Sequence, residues 1–102
     1  MGPSVILITL GREGSIIYYE GSLFKIPAIE TKVVDPTGAG DAYFGGFIFK
    51  YMLSKDPLQS AIFATSTASF IVEAIGPKNL PTVKMVNERI KESSISERIR
   101  QL

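Results

Sequence analysis

Neither cysteine nor histidine occurs in this sequence. Disulfides, zinc sites of Cys/His type, thiol nucleophiles and imidazole acid–base chemistry are therefore excluded. Any proton transfer falls to Asp, Glu, Lys or Tyr. Charge of one sign is also scarce: 11 Lys and Arg against 10 Asp and Glu leave a net charge of +1. That balance gives no sign of nucleic acid, and no basic stripe interleaves with aromatics. No apolar run reaches the roughly 18 residues expected of a membrane span. Met1-Gly2-Pro3-Ser4 has neither the basic region nor the cleavage site of a secretory leader. A cytoplasmic location is the expectation.

What is present reads as a folded chain. Hydrophobic residues make up 45% and charged residues 21% of the 102 positions, enough for one small domain with a modest core. Val5-Ile6-Leu7-Ile8 is a continuous apolar run of the kind buried on both faces in parallel sheets. Ser15–Tyr19 and Leu23–Ile26 flank Glu20-Gly21-Ser22 and predict a β-hairpin. Lys32-Val33-Val34 reads as a further short extended piece. Asp41 to about Ser54 reads as a helix, with Phe44, Phe47, Ile48, Tyr51 and Met52 at helical spacing. Gly45 and Gly46 inside it imply close packing against a neighbour. Asp56-Pro57 starts a second helix that runs to about Ala74, and Thr82 caps a third over 83–93. Residues 94–102 read as an amphipathic or frayed tail after a unit spanning 1–93.

The stretch Val33-Val34-Asp35-Pro36-Thr37-Gly38-Ala39-Gly40-Asp41-Ala42 carries the most chemistry. A β-branched run stops at Asp-Pro, passes a Gly-Ala-Gly turn and enters an apolar helix. Free N–H groups at a helix start carry partial positive charge and attract an anion. An anion cradle beside a carboxylate suits phosphoryl transfer to a hydroxyl: the cradle holds the phosphate and Asp41 takes the proton. The plainer reading is a turn followed by a helix-start aspartate.

The run resembles the second signature of the ribokinase/PfkB family of carbohydrate kinases, Asp-x-Thr-Gly-Ala-Gly-Asp, and Ala42-Tyr43-Phe44-Gly45-Gly46-Phe47 continues it. Thr9-Leu10-Gly11-Arg12-Glu13-Gly14 looks like the family's nucleotide loop. Phe63-Ala64-Thr65 through Gly76 and Leu80-Pro81 looks like the segment that closes its adenine and monovalent-cation sites. The resemblance covers about residues 4 to 92 and only the C-terminal part of the family domain.

The fold it implies is α/β: the C-terminal portion of a ribokinase-like fold, with a mainly parallel sheet, an edge β-hairpin and packed helices. The activity it implies is ATP-dependent phosphoryl transfer to a sugar hydroxyl. Asp41 would be the catalytic base, and Gly38, Ala39, Gly40 and the N–H of Asp41 would form the anion hole. Thr9, Gly11, Gly14, Gly40 and Thr65 would contact nucleotide. Asp35, Thr37, Ala74 and Gly76 match positions that hold a monovalent cation such as K+. ATP and Mg2+ are the implied cofactors.

Three of these residues also have plain structural readings. Gly11 and Gly14 suit any turn, and Thr65 can bond back to its own helix. The family's sugar-binding half is missing, so an unpaired sheet edge and an apolar face are expected. A homo-oligomer or a complementary N-terminal chain would cover them. The alternative function is a truncated non-catalytic nucleotide-binding or oligomerisation module.

Overall fold

Strand β1 (Ile6–Thr9) turns back through a 3-10 turn at Gly11–Glu13 into β2 (Ser15–Tyr19), and β3 (Ser22–Ile26) follows. The β2–β3 turn places Glu20 at φ 50° and Gly21 at φ 79°. That left-handed pair matches the twist of a two-residue hairpin. The computed structural model describes residues 5–73 and 80–102. Helices α1 (Ala39–Ser54), α2 (Pro57–Ile71) and α3 (Val83–Ser93) come next, then a 3-10 turn at Ile95–Glu97 and β4 (Arg100–Gln101).

The sheet order is β1-β2-β3-β4, and every pairing is antiparallel. The expected mainly parallel sheet with a hairpin on its edge is thus not what these residues build. β1 and β2 are joined by a short turn, whereas a parallel pair needs a crossover of about a dozen residues or more. The hairpin shares its first strand with β1, so β1 and β4 are the edges. Lys32-Val33-Val34 joins no strand. Instead the N–H groups of Val34 and Asp35 both donate to the Val72 carbonyl, at 2.6 and 3.0 Å.

Residues 94–102 dock rather than fray. Ile95 is fully buried, Lys25 faces Arg100, and the Leu102 N–H donates to the Leu23 carbonyl at 2.8 Å.

Register divides the sheet into two apolar faces. Leu7, Ile17 and Phe24 lie in one row and Thr9, Ser15 and Ile26 in the next. This inner face meets α1 and α2: Ile17 and Ile26 cluster with Tyr43, Phe47, Ala61, Ile62 and Ile95. The outer face carries Ile6, Tyr18 and Leu23 in one row, and all three are exposed. The two-faced apolar pattern of β1 is therefore real, but only one face is covered by the described residues.

Helix α2 starts where Asp56 accepts from Leu58 and Gln59 N–H groups, with Pro57 at the first turn. Such a cap contributes about 1 kcal/mol. Helices α1 and α2 form an antiparallel pair. A Cβ on Gly46 would stand 3.0 Å from Thr67 Oγ1 and 3.3 Å from Ala64 Cα, so Gly46 is where the two backbones approach. Gly45 meets nothing within 4 Å and faces outward. Phe63, Phe70 and Val86 seal α2 against α3.

Candidate active site

Helix α1 begins at a turn built from Asp35 onward. Asp35 Oδ1 accepts the Thr37 N–H at 3.0 Å. That bond, with a second from the Thr37 side chain, holds the Asp35 carboxyl below its ordinary range. The turn delivers Gly38 at φ 85°, a left-handed conformation that favours glycine. Ala42 N–H donates to the Gly38 carbonyl at 3.0 Å and opens the helix ladder.

Four amides were expected to line the anion hole. The Ala39 N–H is drawn into a turn bond with the Pro36 carbonyl at 3.2 Å. Those of Gly38, Gly40 and Asp41 find no acceptor among the described residues. A Cβ on Gly40 would enter open space. Asp41 is exposed in the first turn of α1. Donors and carboxylate thus share one helix start, and the dipole there favours negative charge.

Thr9 ends β1, and Gly11–Glu13 follows as the 3-10 turn. The Leu10 N–H closes this loop onto the Gly14 carbonyl at 2.7 Å. Gly11 has φ 61° and open space around it. Gly14 has φ 98°, and its α-carbon faces the chain's own β3 end rather than a ligand space. The Gly11–Gly14 loop is linked to the start of α1 through Ser15 Oγ and Tyr43 Oη, 2.9 Å apart.

Thr65 is not on an open surface. It is 7% exposed, and its hydroxyl donates to the Ala61 carbonyl at 2.8 Å. Of the four expected cation positions, Asp35 and Thr37 are engaged with each other, and Ala74 and Gly76 lie outside the described residues. Among the described residues no three acidic, histidine or cysteine side chains gather as a metal site. Two open grooves, of about 630 and 230 Å³, lie by α2 and α3, and neither is lined by Asp41 or the glycine turns.

A polar cluster at the end of α2 carried no local motif. Arg89 of α3 pairs with Glu73 at 3.0 Å, donates to Ser69 Oγ at 3.1 Å and lies over the Phe70 ring. Glu73 also accepts from the Thr31 hydroxyl. The cluster holds the 31–35 segment against α2 and so supports the turn that leads to Gly38.

Residues 1–83 match the family described as pfkB family carbohydrate kinase. The chain belongs to the pfkB family of carbohydrate kinases. It is 42% identical over 92 residues to a nucleoside kinase of Methanocaldococcus jannaschii, covering 88% of this chain and 30% of that one. A nucleoside kinase of Methanothermobacter thermautotrophicus is 49% identical over 82 residues, covering 79% and 26%. The solved M. jannaschii nucleoside kinase, an archaeal member of the ribokinase family, superposes with a TM-score of 0.82 over 86% of this pfkB chain and 30% of its own. Ribokinase of Arabidopsis thaliana, solved with ribose and ATP, gives a TM-score of 0.78 at 29% identity, covering 85% of this chain and 29% of that chain. The chain thus spans under a third of the length of these relatives.

Proposed function

We propose that this chain carries the phosphoryl-transfer half of an ATP-dependent kinase acting on a sugar hydroxyl. The observation that carries it is the α1 start, where three backbone donors without acceptors among the described residues adjoin an exposed Asp41. The donors would hold the transferred phosphoryl group, and a single such donor can contribute about 3 kcal/mol in other enzymes. Asp41 would orient the acceptor hydroxyl and take its proton late. A carboxylate is a weak base, and a loose transition state asks no more of it. Likeness to two archaeal nucleoside kinases favours the ribose ring of a nucleoside as the acceptor.

Gly11, with its open surroundings, is the better candidate of the two loop glycines for a nucleotide contact. ATP with Mg2+ is the phosphoryl donor in this reading, Mg2+ neutralising the phosphate charge. A monovalent cation such as K+ would draw on backbone carbonyls near Thr37 and on the segment after α2.

The uncovered sheet face and the exposed Phe44, Ile48 and Met52 on α1 support a second element of the proposal. The rest of a kinase fold, or a second copy of this chain, covers them in the working protein. A non-catalytic docking module is the reading that remains if nucleotide does not bind.

Calorimetric titration with Mg-ATP tests the proposal. Binding should survive Asp41→Asn and be lost in Gly40→Val. A Cβ on Gly40 meets no protein atom within 4 Å, so that variant reports on the ligand space rather than on packing. No heat at millimolar ATP from the folded wild type would remove the kinase reading for this chain alone.

A further inference from the structure

Ser15 and Tyr43 are 28 positions apart, yet their hydroxyls meet at 2.9 Å. Ser15 is 1% and Tyr43 5% exposed. Among the described residues this is the side-chain hydrogen bond that joins the sheet to α1. Its two ends are placed next to the two glycine turns. Ser15 follows Gly14, whose carbonyl closes the Gly11 loop. Tyr43 follows Ala42, whose N–H opens the α1 ladder on the Gly38 carbonyl.

Packing alone does not call for a hydroxyl here. A phenylalanine would fill the same core beside Phe47 and Ala61, whereas a buried hydroxyl is costly unless bonded. Burial pushes the Tyr43 phenol above its ordinary range, and hydrogen bonds with Ser15 and Thr65 work against that rise. Thr65, also buried, commits its own proton to the Ala61 carbonyl. The bond is directional, and it fixes both the distance and the rotation of α1 relative to β2.

We infer that Tyr43 is a positioning residue: its bond to Ser15 holds the Gly11–Gly14 turn and the Gly38–Asp41 helix start as one unit. The consequence for phosphoryl transfer rests on the kinase reading above; the mechanical coupling does not.

Amide hydrogen exchange on the ligand-free chain tests the coupling, with Tyr43→Phe, Ser15→Ala and the double variant. Exchange at Leu10 and at Ala42 should quicken together by about tenfold in either single variant, while mid-α2 amides keep their rates. The double variant should add nothing further, because each single change already removes the bond. Mg-ATP affinity should fall by about the same factor in all three. Quickening at one turn only, an even rise through the whole chain, or additive effects in the double variant would overturn the inference. Should Tyr43→Phe disturb the fold, Ser15→Ala decides alone. If wild type takes up no Mg-ATP, the kinase reading fails by itself, and the exchange pattern still settles the coupling.

Discussion

A Cβ on Gly14 would lie 2.1 Å from the Ile26 carbonyl oxygen. The backbones of the β1–β2 loop and the β3 end approach so closely that only glycine fits, and φ of 98° adds to the restriction. Gly11, with φ 61° and open space, bears only the conformational penalty. Gly14→Ala should therefore destabilise by roughly 2–4 kcal/mol and Gly11→Ala by about 1 kcal/mol. Urea unfolding of the two variants checks the ranking; equal effects would mean the close approach does not govern Gly14.

Glu73 should give the chain an acid-sensitive clamp. Burial pushes its carboxyl up, but the Thr31 hydroxyl and the Arg89 guanidinium outweigh that and hold it below 4.5. A depressed carboxylate contributes stability that is present above its unfolded value and lost as pH falls through the folded one. Glu73→Gln should lower the urea midpoint at pH 7, and its deficit should shrink as pH falls below about 4.5. A deficit that stays constant across that window would show that the charge on Glu73 contributes nothing.

The outer face of α1 should govern association. Phe44, Ile48 and Met52 recur at four-residue steps and are 45%, 58% and 68% exposed. A helix that is apolar all round is ordinarily covered on all sides. Ile48→Glu with Met52→Lys should reduce hydrophobic-dye binding and self-association, and change stability by less than about 0.5 kcal/mol per site. Sedimentation velocity across a concentration series reads this directly. Unchanged association would move attention to the outer sheet row of Ile6, Tyr18 and Leu23.

Local chemistry was legible and long-range partnership was not. The Asp56-Pro57 and Thr82 helix starts, the Glu20-Gly21 turn and the Gly38 turn each follow from residues within a few positions of one another. The run at Val5–Ile8 does report two apolar faces, but an apolar run is silent on the direction of its neighbour, and the short connection decides for antiparallel. The bonds Glu73–Arg89 and Ser15–Tyr43 join side chains that no spacing rule relates. Gly45 and Gly46 look alike in sequence; only the position of Thr67 and Ala64 separates a packing glycine from an open one. For Thr65, the family resemblance pointed to a nucleotide contact, while the back-bond to Ala61 follows from local helix geometry.

Strand β4 implies an order of assembly. Gln101 reaches Ser22 across 79 positions, whereas β1, β2 and β3 close through neighbouring turns, and α1 and α2 do likewise. Closing a longer loop costs more chain entropy, and distant contacts tend to form late. Arg100 and Gln101 should therefore gain protection after Ile17 in pulse-labelled refolding. Simultaneous protection would mean that the C-terminus takes part in the nucleus. With the expected order, the last two paired residues act as a latch: they engage only once the meander and the helical hairpin have already met through the core around Ile95.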